Sequence, residues 1–181
     1  MGRCLPFLGL ASVLALSACA GGGASGPAPM PLGPRAALEC APFARALTGV
    51  DLRGDAADWW REAAGRYRRS DTPREGALLV FRRSSRLPHG HVGVVSRVIS
   101  DRKVLLTQAN WVHHRISEDL PAIDVSPDND WSRVRVFWPP VGAMGTHAYP
   151  AYGFILPADP ADHDALIAAT PAAIRLAERE E

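Results

Sequence analysis

Four side chains in this sequence could together hydrolyse an amide bond by nucleophilic attack. They belong to Cys40, His91, Gln108 and Asn110. A cysteine that attacks a carbonyl carbon needs a base within hydrogen-bonding reach, and the base needs a further group that fixes its orientation. Either amide side chain could hold an imidazole in one tautomer, so the set contains a nucleophile, a base and two candidates for the orienting group. Both amides could instead be hydrogen-bonded structural side chains.

Cys40 lies in the stretch LECAPFARAL, residues 38–47, and the other two cysteines are Cys4 and Cys19. Cys4 belongs to a predicted signal peptide and Cys19 is a predicted lipidation site, so Cys40 would be the free thiol of an exported protein. Such a cysteine indicates either intermolecular pairing or a reactive group. A small buried apolar side chain is the alternative interpretation.

The N-terminal segment has the pattern of an export signal over residues 1–18, with one arginine followed by a short apolar run. The tetrad that ends at Cys19 resembles the lipobox of bacterial lipoproteins. Lipidation there would hold the protein at a membrane surface, with the Gly/Pro-rich residues 19–37 as a flexible tether. We therefore expect a lipid-anchored protein of the cell envelope that faces the periplasm, and Ala20 favours the outer membrane where the host has one.

His91 is the strongest candidate for the base because it opens a strand-like run after Leu-Pro-His-Gly, at the edge of a loop where a cleft can form. An alternative is a zinc site built from histidines, for which the spacing H-x-H plus H-H is available. That pattern lacks the nearby Cys or Glu partners of familiar zinc motifs, so we expect no metal and no other cofactor. The histidines of this alternative are His89, His91, His113 and His114.

Length and charge limit the function further. The chain has 181 residues, with 20 Lys+Arg against 19 Asp+Glu. A nearly neutral exported protein is a poor candidate for nucleic-acid binding. After the signal and the tether, about 120 residues remain before a charged, Ala-rich tail, which is enough for one compact domain. We expect this domain to be monomeric.

The candidate nucleophile is predicted to start a helix over residues 38–49, with Gly49 as its stop. Proline is tolerated only in the first turn of a helix, so Pro42 places the start close to Cys40. Unpaired backbone N–H groups at a helix start lower the pKa of a thiol, whereas the neighbouring Glu39 raises it. The apolar positions with helical spacing are Cys40, Phe43, Ala44 and Leu47.

Further elements are predicted from periodicity. A second helix over residues 55–68 would be capped by Asp55, and residues 77–81 form a short strand. Residues 91–100 and 103–111 form a hairpin in which Gln108 and Asn110 share a face. Residues 131–138 alternate as another strand, and residues 118–130 are predicted as a loop. The predicted fold class is α+β, with N-terminal helices packed on an antiparallel sheet.

The C-terminal part is predicted as an addition to this domain. Residues 142–157 are aromatic but rich in Gly and Pro, and they would pack over the domain as an extension. The tail that follows would be helical in two pieces split at Pro171, or would fray in solvent. The predicted division is therefore residues 38–141 for the main domain and 142–181 for the extension and tail.

Four short motifs in order resemble the CHAP domain, the cysteine- and histidine-dependent amidohydrolase/peptidase of bacterial and phage cell-wall enzymes. They are ECAPFAR, PREGALLVF, HGHVGVV and LLTQANW, and the resemblance covers about residues 38–138. It implies a papain-like fold, with the cysteine at a helix start packed against a sheet that carries the histidine. NlpC-type cell-wall peptidases share the order of cysteine and histidine, but their usual Asp-Cys-Ser-Gly motif does not match ECAPFAR.

The resemblance implies that Cys40 is the nucleophile and His91 the base, with Gln108 or Asn110 as the orienting group. Trp111 could line the substrate cleft or belong to the core. The implied function is cleavage of a peptidoglycan amide bond, as an N-acetylmuramoyl-L-alanine amidase or an endopeptidase. Where relatives often carry glutamine before the nucleophile, this chain has Glu39, so the alternative is an inactive envelope lipoprotein that binds peptidoglycan or regulates other proteins.

Overall fold

The computed structural model describes residues 1–2, 33 and 38–179. The predicted signal peptide, the lipidation at Cys19 and the tether fall almost entirely outside these residues and stay predictions. Among the helices that the structure describes, none combines the length and the apolar character needed to cross a membrane.

Six antiparallel strands close into a barrel in the order β8-β2-β3-β4-β5-β6, because β6 also pairs with β8. Two further strands, β1 and β7, extend the sheet beside β8 and β6. The strands are β1 Arg68–Ser70, β2 Leu78–Phe81, β3 His91–Ser100, β4 Lys103–Ala109, β5 Ile116–Asp124, β6 Arg133–Trp138, β7 Ala143–Met144 and β8 Tyr149–Leu156.

Three α-helices accompany the barrel in the described part of the chain: α1 Cys40–Thr48, α2 Trp59–Glu62 and α3 His163–Ala177. Short 3-10 helices lie at Ala56–Asp58 and Pro139–Val141. The helix α1 packs against β3, β4 and α3. The C-terminal helix therefore covers the N-terminal one, and both lie on the outside of the barrel.

Alternating side chains of the strands divide the apolar residues between two clusters. One cluster fills the barrel and includes Leu106, Trp131 and Phe154. The other joins outward-facing strand residues such as Val92 and Val94 to the helices. A residue's place in a strand thus decides whether it faces the barrel interior or the helices.

The prediction of a papain-like α+β fold with N-terminal helices packed on an antiparallel sheet is wrong. In the described part of the chain, more residues lie in strands than in helices, and the sheet is closed into a barrel. Closure requires pairing between β6 and β8, two strands that are distant from β2 in sequence. Hydrophobic alternation within a strand does not report which distant strand will pair with it.

Several local predictions are confirmed. The helix α1 starts at Cys40 and ends at Thr48, and its C-cap is the predicted stop Gly49, whose φ of 71° is the left-handed conformation that favours glycine. The hairpin of β3 and β4 turns at residues 101–102, and the strands predicted at 77–81 and 131–138 correspond to β2 and β6.

The loop predicted over residues 118–130 is wrong, because most of it forms strand β5. Proline cannot donate a hydrogen bond to a sheet, so Pro121 is unusual inside a strand that is paired on both sides. The structure places Pro121 opposite Leu105 while the register with β4 shifts between Leu106 and Gln108. Asp119 adopts a positive φ of 51° at this irregularity.

The predicted helix over residues 55–68 is shortened to a 3-10 turn and the single turn of α2. Asp55 does not cap it, because its carboxylate contacts His89 at 3.0 Å and Arg83 at 2.7 Å. Gly65, with a φ of 74°, lies in the turn that leads into β1.

Downstream, β8 lies between β1 and β2 in the sheet, a strand that the sequence analysis did not predict. The tail forms one helix, α3, in which Pro171 is internal, so neither the split nor the frayed form is observed. Asp162 caps α3 by accepting a hydrogen bond from the backbone N–H of Ala165 at 2.9 Å.

Candidate active site

Cys40 is the first residue of α1 and is half-buried. The first backbone N–H groups of a helix have no partner within it and project out of its N-terminal end, and Pro42 has no N–H group. The N–H groups of Cys40 and Ala41 therefore remain directed toward the sulfur, while that of Phe43 donates to the carbonyl of Glu39 at 3.3 Å. The N–H of Val92 also donates to this sulfur, which places the thiol beside the residue that follows His91.

His91 is the first residue of β3 and is only 4% exposed. Val92 faces the helices, so strand alternation turns His91 toward the barrel interior. Its ring lies 5.8 Å from that of Phe81 and 5.2 Å from that of Trp111, measured between centroids. These two aromatic neighbours leave the imidazole little freedom to rotate.

Gln108 holds the imidazole from the neighbouring strand β4. Its Oε1 lies 2.9 Å from Nε2 of His91, and Gln108 is 1% exposed. An amide oxygen can only accept a hydrogen bond, so Nε2 is the protonated nitrogen. The other ring nitrogen, Nδ1, is then the one that can accept a proton.

Asn110 does not share this arrangement. The strand β4 ends at Ala109, and Asn110 has a φ of 60°, so the alternation that would have placed it beside Gln108 stops before it. Its Nδ2 donates to Glu39 at 3.0 Å and its Oδ1 accepts from the backbone N–H of His114 at 2.9 Å. Asn110 therefore contacts the residue before Cys40, whereas Gln108 contacts His91.

Burial keeps both candidate reactive groups neutral. It raises the pKa of the Cys40 thiol to about 11, with a further increase from the Glu39 carboxylate and an opposing effect of the backbone N–H groups of Val92, Cys40 and Ala41. Burial also lowers the pKa of the His91 imidazole to about 4, against the hydrogen bond to Gln108. The lowered thiol pKa expected from the helix start is thus outweighed by desolvation.

A cavity of about 630 Å³ joins the candidate residues. Cys40, His91 and Asn110 line it, together with the carboxylate residues Glu39 and Asp55. Gln108 is not among the lining residues; it is buried behind His91. The cavity gives a substrate access to a thiol and an imidazole at the same time.

Trp111, predicted as a cleft or core residue, packs against the cluster inside the barrel and is not among the residues that line the Cys40 cavity. Its Nε1 donates to the backbone carbonyl of Phe137 at 3.2 Å, and its ring packs edge-on against His91. It also lines two smaller cavities next to that of Cys40.

The sequence analysis did not identify two residues that belong to the site. Gly93 follows His91 by two residues on the same face of β3, and a Cβ there would lie 2.9 Å from Oε1 of Gln108. Arg86 lines the Cys40 cavity from the loop before β3. A glycine inside an otherwise apolar strand was the available signal for close packing at Gly93.

The other histidines of the zinc alternative are not assembled around one point. His89 contacts Asp55 at 3.0 Å, and the rings of His113 and His114 stack on each other with centroids 3.7 Å apart. Within residues 1–2, 33 and 38–179, no group of three or more His, Cys, Asp or Glu side chains could hold a metal ion.

Comparison with protein families matches residues 32–110 to the CHAP domain. This range contains Cys40, His91, Gln108 and Asn110, and it confirms the resemblance noted in the sequence. The comparison with curated proteins found no match to the chain. A CHAP domain indicates hydrolysis of peptidoglycan by amidase or peptidase activity in general.

Proposed function

We propose that this protein, whose residues 32–110 match the CHAP domain family, cleaves an amide bond of peptidoglycan with Cys40 as nucleophile and His91 as base. One observation carries the proposal. The thiol and the imidazole line the same cavity, and the hydrogen bond from Nε2 of His91 to Gln108 leaves Nδ1 as the proton acceptor. Gln108 rather than Asn110 is the orienting residue in this proposal.

The reaction starts from a neutral thiol and a neutral imidazole, since the pKa of Cys40 is about 11 and that of His91 about 4. Nδ1 of His91 removes the thiol proton as the sulfur attacks the carbonyl carbon of the scissile amide. The imidazolium that forms donates through Nε2 to Gln108, which keeps the ring in place. Proton transfer and attack are therefore coupled, and no resting thiolate is required.

The tetrahedral intermediate carries a negative oxygen that needs hydrogen-bond donors. The backbone N–H groups of Cys40 and Ala41 are suited to this role, because they are directed toward the sulfur from the start of α1. Each well-placed donor of this kind contributes about 3–4 kcal/mol to stabilising the transition state. Glu39 supplies no donor of its own when ionised, and its carboxylate accepts from Asn110.

Breakdown of the intermediate completes the cycle. The C–N bond breaks as His91 returns the proton to the leaving nitrogen, which departs as an amine and leaves a thioester on Cys40. His91 then removes a proton from water, whose oxygen attacks the thioester carbon. The C–S bond breaks, and the products are a carboxylic acid and the restored thiol.

Digestion of purified peptidoglycan sacculi by the full chain tests the proposal. The wild-type protein should release soluble fragments, and Cys40→Ala and His91→Ala should each reduce that release to background. An Ile99→Ala variant, changed at an exposed position near the far end of β3, is the matched control and should retain activity. Lysis by Cys40→Ala at the wild-type rate would exclude the thiol mechanism. If the wild-type protein binds to the sacculi but releases no soluble fragments, the alternative of an inactive binding module is favoured instead.

A further inference from the structure

Arg86 lies in the loop between β2 and β3 and lines the Cys40 cavity. The loop contains a tight turn, because the backbone N–H of Ser84 donates to the carbonyl of Leu87 at 3.0 Å and the N–H of Leu87 donates to the carbonyl of Ser84 at 3.1 Å. Arg86 is at the tip of this turn. Leu87, the next residue, packs against the cluster inside the barrel, so the fold fixes the position from which the Arg86 side chain projects.

Both limbs of this loop are bound to the segment that precedes α2. On one limb, Arg83 binds the carboxylates of Asp55 at 2.7 Å and Asp58 at 2.6 Å. On the other limb, the backbone carbonyl of His89 accepts from the N–H of Ala57 at 3.1 Å. A loop that is already ordered loses little conformational entropy when it binds a ligand, so a contact made from its tip contributes more to affinity.

Charge partners distinguish Arg86 from the carboxylates of the same cavity. Asp55 is bound to Arg83 at 2.7 Å, and Glu39 accepts from Asn110 at 3.0 Å. In the part of the chain that the structure describes, the Arg86 guanidinium makes no hydrogen bond and no ion pair. A guanidinium of this kind offers an incoming carboxylate two parallel N–H donors together with its charge.

A smaller cavity of about 400 Å³ adjoins the Cys40 cavity, and both Arg86 and His91 line the two of them. None of the described residues that line this smaller cavity carries a carboxylate. The Cys40 cavity instead includes Glu39 and Asp55, which repel an anion. A ligand carboxylate is therefore favoured beside Arg86, next to His91, rather than at the acidic side of the Cys40 cavity.

We propose that Arg86 is a specificity-determining residue, which binds a free carboxylate on a substrate residue next to the scissile amide. This inference rests on the proposed function, in which that amide is attacked by Cys40 with His91 as base. The stem peptides of peptidoglycan supply such carboxylates. The contact is made in the ground state and the transition state alike, so Arg86 acts mainly on KM. The bond that is cut therefore has a free carboxylate on one of its two flanking residues.

Sacculi whose carboxylates have been converted to carboxamides with a carbodiimide and ammonia provide the first test. The initial rate of fragment release at low substrate concentration follows kcat/KM. The wild-type protein should digest untreated sacculi about tenfold faster than amidated sacculi, because a charge-assisted hydrogen bond is lost on amidation. Arg86→Gln should digest both substrates at the slower rate. Arg86→Lys keeps the charge but not the parallel donors, so its preference should be intermediate.

Arg68→Gln is the control for the general charge of the sacculi. It removes an exposed arginine in β1 that does not line the Cys40 cavity, and its preference should equal that of the wild-type protein. An equal preference of wild-type and Arg86→Gln for untreated sacculi would overturn the assignment of Arg86 and leave the hydrolase proposal standing. Mass spectrometry of the wild-type products identifies the bond. Cleavage only at amides without a free carboxylate on either flanking residue would also overturn the assignment.

A binding measurement tests Arg86 independently of hydrolysis. The Cys40→Ala protein is titrated by calorimetry with a synthetic stem tetrapeptide and with its carboxamide form, and the titrations are repeated with Arg86→Gln added. The tetrapeptide should bind about tenfold more tightly than the carboxamide form, and Arg86→Gln should remove this difference. A difference that is absent or survives Arg86→Gln would contradict the proposal. Carboxylate-dependent binding without any digestion by the wild-type protein would overturn the proposed hydrolase function alone.

Discussion

Nε2 of His91 lies 2.9 Å from Oε1 of Gln108, between the first residue of one barrel strand and the penultimate residue of the next. Both side chains face the barrel interior, so the pair is enclosed on the side away from the Cys40 cavity. This contact determines which ring nitrogen carries the proton. It also separates Gln108 from Asn110, whose side chain is bound to Glu39.

Replacing Gln108 should reduce catalysis much more than replacing Asn110. Gln108→Leu has a similar volume but cannot fix the imidazole, so kcat should fall by about a hundredfold, as expected when a catalytic histidine loses its orienting partner. Asn110→Gly tolerates the φ of 60° and should change kcat by less than about fivefold. Turnover on sacculi measures both effects, and thermal unfolding serves as the control for folding. A larger loss in Asn110→Gly than in Gln108→Leu would assign the orienting role to Asn110.

Adding a methyl group at Gly93 should disturb the same hydrogen bond from the opposite side. A Cβ at this position would lie 2.9 Å from Oε1 of Gln108 and 3.3 Å from Cδ1 of Leu106. Gly93→Ala should therefore displace the Gln108 amide and reduce kcat by about tenfold, with a loss of about 1–3 kcal/mol in the free energy of unfolding.

A double-mutant cycle identifies the cause of this loss. In the Gln108→Leu background, Gly93→Ala should have little further effect on kcat, because the hydrogen bond that it disturbs is already absent. Additive effects on kcat would mean that Gly93→Ala acts elsewhere in the barrel. Urea unfolding of the wild-type protein, the two single variants and the double variant gives the free energy of unfolding of each, which shows whether a loss of kcat comes with a loss of stability.

Removing the charge of Glu39 should make the Cys40 thiol more acidic. The Glu39 carboxylate raises the pKa of Cys40, and Glu39→Gln keeps an oxygen that can accept from Asn110. Alkylation of Cys40 by iodoacetamide, measured by peptide mapping, should therefore be faster in the variant below pH 11. Asp128→Asn, at an exposed carboxylate between β5 and β6, is the control and should leave the alkylation rate unchanged. A slower rate in Glu39→Gln would contradict the electrostatic explanation.

Burial of neutral His91 should make stability depend on pH. The folded protein takes up this proton near pH 4 and the unfolded chain near pH 6.5, so between these values the unfolded state binds more protons. The free energy of unfolding should therefore decrease by about 3 kcal/mol as the pH falls from 6.5 to 4.

The difference between wild-type and His91→Asn isolates this contribution, because other titrating groups are common to both proteins. Urea titrations at several pH values should show that the wild-type protein loses more stability than the variant as the pH falls. Parallel pH dependence of the two proteins would mean that His91 is not held neutral by burial.

The sequence alone determined the local parts of the candidate site. Helical spacing and Pro42 placed Cys40 at the start of α1, and alternation placed His91 at the start of β3. These features depend on contacts between residues close in sequence, which periodicity and proline geometry report directly. The same patterns, with the order of four motifs, were sufficient for the family resemblance that the comparison confirmed.

The tertiary structure alone decided the closed barrel, the choice of Gln108 over Asn110 as the partner of His91, and the neutral state of the thiol. Barrel closure joins β6 to β8, and Trp138 and Tyr149 from these strands line one cavity together with Arg86. The pKa of Cys40 depends on how much protein surrounds the sulfur, which the residues next to it in sequence do not specify. Each of these properties results from contacts between residues that are distant along the chain, and only the folded protein brings them together.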